Sequence, residues 1–220
     1  SARLTVFAPT NAAFDTLATQ LGFADGPAMV TALPANALAS ILTYHVLPTR
    51  LNASQLSSGN ATQPTLYSFG GSPATVAIDA SSGVRVGDAV LTQATVTTPN
   101  QPATNGIVHV VDKVLVPPGV LNVVQMAQAN PGAFSSLVGA VVSANLAGTL
   151  SGAGPFTVFA PTNTAFAAAP TGLTIPQLTT VLTYHVLADE VLSSELGPVF
   201  GTPVATVAGQ DITINAGTAP

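Results

Sequence analysis

The chain has 220 residues and a net charge of −5, with 47% hydrophobic but only 6% charged residues, about a quarter of the usual charged share. Its four fixed cations are too few and too scattered to track a nucleic-acid backbone. The absence of cysteine excludes disulfides, thiolate catalysis and Cys-ligated metals, and no apolar run approaches the roughly 20 residues of a membrane span.

The length supports one large or two modest domains, each with a core. Residues 3–8 read as a short strand buried on both faces, stopped by Pro9. Thr10 is placed to cap a helix in which Phe14, Leu17, Ala18 and Leu21 keep a single apolar stripe. Gly22 and the Asp25-Gly26-Pro27 cluster are expected to end it. A second helix is expected over 35–44, with Leu38, Ile41 and Leu42 facing inward. His45-Val46-Leu47 then turns into a strand closed by Pro48.

Residues 51–73 are rich in Ser, Gly, Asn and Gln and predict a loop with one helical turn and one short strand. Four β-like runs follow at 75–79, 84–86, 89–97 and 107–116, with turns between them at 81–83, 87–88 and 99–106. The run 107–116 is apolar enough for a central strand, and Pro117-Pro118 should end it. A domain boundary is expected here, giving domains 1–118 and 119–220.

Two helices are expected at 119–130 and 131–147, the second with Phe134, Leu137, Val138, Val141, Val142 and Leu146 on one stripe. Then Thr157-Val158-Phe159-Ala160-Pro161-Thr162-Asn163 repeats Thr5-Val6-Phe7-Ala8-Pro9-Thr10-Asn11 letter for letter. Leu42-Thr43-Tyr44-His45-Val46-Leu47 likewise returns as residues 182–187. Repeats this far apart mean tandem domains, not solenoid turns. The helix after Asn163 is cut short by Pro170, and strands are expected at 202–207 and 210–215. Nothing before Leu4 matches the helical pair at 119–155, and the counterpart of 105–118 would fall past residue 220. A central strand left out exposes its neighbours' backbone, so the expectation is a piece of a longer tandem protein.

The segment 156–166 and its copy at 4–14, the two Tyr-His pairs, and Asn105-Gly106-Ile107-Val108-His109-Val110-Val111-Asp112-Lys113-Val114-Leu115 together resemble the signatures of the fasciclin-like domain family. The resemblance covers nearly the whole chain. It implies an α+β fold of two tandem domains, each a wedge-shaped β-sandwich flanked by helices. It also implies an extracellular, cell-surface or periplasmic protein used in adhesion. Expected partners are a cell-surface receptor, a matrix protein or a polysaccharide, with no cofactor and no nucleic acid. Thr10, Asn11, Thr162, Asn163, Asn105, Gly106, His109 and Asp112 are then motif residues with structural roles.

The resemblance points to Tyr44, His45, Tyr184 and His185 as an adhesion segment. Their position at a helix-to-strand junction inside an apolar run favours burial, with hydroxyl and imidazole satisfying backbone groups. His109 and Asp112 lie three apart on an expected strand and leave it on opposite faces, so they make no acid–base pair. His109 is expected to bond across the sheet and Asn105-Gly106 to form the turn before it. An imidazole with its ordinary pKa near 6.5 would leave the segment pH-sensitive.

No Gly-x-Ser-x-Gly elbow occurs, three histidines offer no zinc spacing, and no glycine turn leads into a Lys-bearing helix start. Asp189, Glu190 and Glu195 could hold Ca²⁺, but the regular loop spacing is missing, and a solvated acidic edge is expected. Asn52 and Asn60 stand in glycosylation sequons. The expectation is a non-enzymatic adhesion or matrix-binding module in which tandem copies add avidity. The alternatives are a carrier of an apolar small molecule such as a carotenoid, or a structural spacer of a surface protein.

Overall fold

The computed structural model describes residues 3–58, 61–192 and 200–215. The chain forms two compact units, Ser1–Leu121 and Asn122–Pro220.

In the first unit β1 (Leu4–Pro9) alternates Thr5 and Phe7 inward with Val6 outward, the two-residue period of a half-buried strand. Helix α1 (Asn11–Gln20) follows at once, because the Thr10 hydroxyl accepts the Ala13 amide as its cap. The Asp25-Gly26-Pro27 cluster does not only end a helix. Asp25 accepts the Ala28 amide and Pro27 sits in the first turn of α2 (Gly26–Ala32), where its missing N–H costs nothing. Helix α3 (Ala35–Tyr44) buries Ile41 and Tyr44, but Leu42 is 52% exposed and faces away from that core.

Strand β2 (Val46–Leu47), helix α4 (Ala53–Leu56), β3 (Ala61–Phe69), β4 (Ser72–Asp79), β5 (Arg85–Gly87), β6 (Gln93–Ala103) and β7 (Gly106–Val111) complete the unit. The strands form one sheet in the order β2-β1-β7-β6-β5-β4-β3. All pairs are antiparallel except β1 with β7, which run parallel with Phe7 opposite His109. The two end strands, β2 and β3, lie in contact, so the sheet folds over a core of Phe7, Tyr44, Leu47, Val76, Val86, Val111 and Leu115.

Three expectations change here. The polar segment 61–69 is a full strand, because its long-range partner β4 satisfies a backbone that carries little apolar pattern. Strand β6 starts later than expected and runs through the expected turn, passing two register shifts with Asn100 left-handed at φ 62, a conformation Asn tolerates. The strand β7 stops at Val111, not at the prolines. Residues 112–116 continue as a non-strand run in which Val114, Leu115 and Val116 are at most 1% exposed.

The second unit opens with α5 (Val123–Gln128), α6 (Pro131–Ser143) and α7 (Ala147–Leu150). Of the stripe expected on α6, Leu137 and Val141 are buried, whereas Val142 is 60% exposed. Strand β8 (Thr157–Val158), helices α8 (Asn163–Ala167) and α9 (Ile175–Tyr184), and strand β9 (Val186–Leu187) repeat β1, α1, α3 and β2. The hairpin β10 (Pro203–Ala205) with β11 (Asp211–Thr213) closes the described part. The core joins Leu137, Val141, Ala144 and Leu150 to Leu182 and Val186. Among the described residues no helix is long and apolar enough to cross a membrane.

Candidate functional site

The Tyr-His junction of the first unit is formed where α3 ends. His45 is its C-cap at φ −80 and ψ 0, and β2 starts with the next residue. Tyr44 is 1% exposed. Its hydroxyl donates to the Thr75 carbonyl at 2.8 Å, and its ring meets Tyr67 edge to face at 6.1 Å. Burial, and after it the charge of Asp88, push the Tyr44 phenol far above its ordinary pKa.

His45 is 3% exposed and occupied at both ring nitrogens. The Leu115 amide donates to Nε2 at 2.8 Å, so Nε2 carries no proton and Nδ1–H donates to the Ile41 carbonyl at 2.7 Å. A second proton would set one N–H against another. Burial pulls the imidazole down to about 4, the Lys113 charge acts in the same direction, and the Ile41 bond opposes them. The ring thus ties the end of α3 to the buried run after β7.

His109, fully buried on β7, has the opposite tautomer. Its Nδ1 accepts the Asn100 amide at 3.3 Å, across the sheet, and Nε2–H donates to the Leu51 carbonyl at 2.9 Å. Burial lowers its pKa, so the group expected to titrate normally is held neutral. Asp112 is exposed and accepts the Thr95 amide at 2.6 Å. Both residues bond the backbone of β6 at separate points, His109 at Asn100 and Asp112 at Thr95, and form no dyad.

The remaining motif residues, Asn11 apart, bond or closely approach neighbouring backbone. Asn105 accepts the Leu4 amide through its carbonyl at 3.1 Å. Gly106 lies opposite Leu4, and a Cβ there would run into the Leu4 carbonyl. The glycine is therefore required by close approach between parallel strands, not by turn geometry. Thr162 caps α8 as Thr10 caps α1. The Asn163 carboxamide accepts the Ser136 amide and donates to the carbonyls of Pro131 and Gly132, clamping the first turn of α6. Its counterpart Asn11 is exposed.

In the second unit Tyr184 and His185 are only half-buried. The Tyr184 hydroxyl donates to the Asp211 carbonyl at 3.1 Å, and His185 Nδ1 lies 2.8 Å from the Val181 carbonyl. Among the described residues nothing donates to its Nε2.

Sequence reasoning missed Asp88, taken only as part of a turn. Its side chain is 0% exposed and pairs with Lys113 at 2.8 Å. One carboxylate oxygen also accepts the Val116 amide and the other the Val90 amide. Burial pushes Asp88 up and Lys113 down, and the contact between them opposes both shifts. The available signal was Lys113, a lone cation in the apolar run of a nearly charge-free chain.

Thr5 was missed too: its hydroxyl donates to the Thr49 carbonyl and accepts the Leu51 amide. Thr157 makes the same pair with Asp189 and Val191. Among the described residues no three His, Cys, Asp or Glu side chains gather as a metal cluster. Asn52 caps α4, whereas Asn60 and Glu195 lie outside the described residues.

A family model described as the fasciclin domain matches residues 1–117 and again 132–219. The uncharacterised protein sll1735 of Synechocystis sp. is 45% identical over 96 residues, covering 38% of this chain and 71% of that protein. Transforming growth factor-beta-induced protein ig-h3 of Sus scrofa is 30% identical over 198 residues, or 87% of this chain. The match spans only 25% of the pig protein's length. A solved FAS1 domain pair from the insect cell adhesion molecule Fasciclin I is similar over 99% of this chain and 77% of that one, at 18% identity and a TM-score of 0.46. With its three signatures in order and two of them present twice, the chain belongs to the fasciclin domain family.

Proposed function

We propose that this chain is a non-catalytic adhesion or matrix-binding module of an extracellular, cell-surface or periplasmic protein, binding through its two units together. The observation that carries the reading is the use made of the reactive side chains. His45, His109, Asp88 and Lys113 are each spent on holding backbone: they bond Leu115 and Ile41, Leu51 and Asn100, Val116, and Thr92. A neutral, doubly bonded imidazole can neither take a proton from a substrate nor ligate a metal.

Tyr44 and His45 support binding through shape, since they are buried; the contact surface is the exposed hydroxyl- and amide-rich exterior. Its partners are a cell-surface receptor, a matrix protein or a polysaccharide, recognised through neutral hydrogen bonds and modest per-unit affinity multiplied by tandem presentation.

The test is adsorption of the 220-residue protein to cells, matrix protein and polysaccharide, with the separate matches compared. Retention that changes little between low and high salt supports the reading. Binding no better than that of an unrelated acidic protein refutes it. The carrier alternative predicts a visible absorption band on protein from its native source.

A further inference from the structure

Asn105 works through its main chain alone. Its carbonyl accepts the Leu4 amide, but among the described residues its exposed carboxamide has no partner. Asn100 and Asn52, in the same unit, use theirs to hold the Ala53 and Gln55 amides. Asn105 is also the only asparagine of the chain followed by glycine. Every other asparagine precedes a residue with a Cβ, which crowds the approach of the following main-chain nitrogen to the carboxamide carbon; glycine leaves that approach open.

We infer that Asn105 is a self-modification site, at which the Gly106 nitrogen closes on the Asn105 side chain, and that the pairing of β1 with β7 is the gate that holds this closure back. The Gly106 main-chain nitrogen attacks Asn105 Cγ. An N–Cγ bond forms, the Cγ–Nδ2 bond breaks, and Nδ2 leaves as ammonia with the proton given up by the Gly106 amide. Water then opens the cyclic imide at either carbonyl. Breaking the new bond at Cγ leaves aspartate. Breaking the bond at the Asn105 main-chain carbonyl leaves isoaspartate, whose main chain runs through Cγ. No oxidant or reductant takes part.

The gate is the ladder around Gly106. This residue pairs with Ala103 across the turn and with Leu4 on its other side. The Leu4 amide holds the Asn105 carbonyl at 3.1 Å, so the main chain on both sides of the reacting bond is fixed. Gly106 lies so close to the Leu4 carbonyl that a methyl group does not fit between them. Ring closure turns the Gly106 nitrogen out of the ladder and therefore needs β1 to move away. A local opening of β1 from β7 is enough; global unfolding is not required. The missing Cβ thus has two consequences at one residue: it lets the parallel strands approach, and it makes the preceding asparagine reactive once they part. Isoaspartate adds a main-chain atom ahead of Gly106, which cannot keep the Leu4 and Ala103 pairings in register. The change is one-way and leaves β1 less firmly held.

The experiment incubates the intact 220-residue protein at neutral pH across a urea series that spans its unfolding transition. After dilution of the urea, trypsin releases residues 86–113, bounded by Arg85 and Lys113. Mass spectrometry that distinguishes aspartate from isoaspartate then follows Asn105 and Asn100 in the same peptide. Conversion at Asn105 is expected to be roughly tenfold or more faster in the unfolded chain than in the folded one. It should already rise with urea below the transition and give isoaspartate among its products. Asn100, followed by Gln101, should stay intact. Leu4→Pro removes the amide that holds the Asn105 carbonyl. It should speed conversion in the folded protein roughly three- to tenfold, the effect of one lost hydrogen bond.

If Leu4→Pro proves unfolded, the urea dependence of the unmodified sequence decides alone. An Asn105 that stays an amide in the unfolded chain would remove the site. Conversion of Asn100 as fast as that of Asn105 would show that the glycine is not what matters. Equal rates in folded and unfolded protein, or a folded Leu4→Pro variant with an unchanged rate, would remove the gate.

Discussion

Acid should loosen the first unit through His45. The unfolded imidazole takes a proton near 6.5 and the folded one only near 4. Between those values the unfolded chain holds more protons, so stability falls as pH falls. The full stabilisation is present above about pH 6.5 and is lost as pH drops towards 4. The gap corresponds to about 3 kcal/mol, with about 2 kcal/mol already gone near pH 5. That is a large part of the 5–15 kcal/mol typical of a folded domain.

His109, also depressed by burial, acts in the same direction, while the raised Asp88 acts in the opposite one. The His45→Gln variant isolates the effect, since both of those groups remain and the Gln carbonyl can still accept the Leu115 amide. The assay is urea unfolding at several pH values from 7 to 4.5, followed by tyrosine fluorescence and the Leu115 amide resonance. The variant should be less stable at pH 7 but have a flatter pH profile. If wild-type stability is constant over that range, or the variant keeps the full slope, the account of His45 is wrong.

Gly106→Ala forces a methyl group into the Leu4 carbonyl; it should cost about 1–3 kcal/mol or prevent β1 and β7 from pairing, measured by denaturant unfolding. Asn163→Ala removes three hydrogen bonds from the start of α6 and should cost about 1–2 kcal/mol. The matching Asn11→Ala at an exposed site should stay within about 0.5 kcal/mol; equal effects would contradict the assigned roles. Asp88→Ala strands Lys113 and the Val116 amide. It should cost about 3 kcal/mol, somewhat less because Lys113 is 21% exposed, and replacing Lys113 with Met as well should recover part of the loss. All three comparisons can be read from urea midpoints at pH 7.

Much of this protein was legible in its sequence because the signals are local. The letter-for-letter copy at Thr157 to Asn163, the caps at Thr10 and Thr162, and the bounds of α3 depend on neighbouring residues, and they appear where the pattern puts them. The strand geometry expected for His109 and Asp112 does not extend to Asp112, because β7 ends at Val111; what separates the two side chains is their different bonding partners. The polar strand β3, the passage of β6 through Asn100, and the early end of β7 at Val111 depend on partners far along the chain. So does the anchoring of the run after β7 by His45 and Asp88.

The clearest contrast is Leu42 with Leu182, identical residues in identical local sequence. One is 52% exposed and the other 5%. Composition, periodicity and capping determine which residues form a helix or strand, because those are short-range energies. Tertiary structure alone decides which face is covered, because burial belongs to the surface that packs against it.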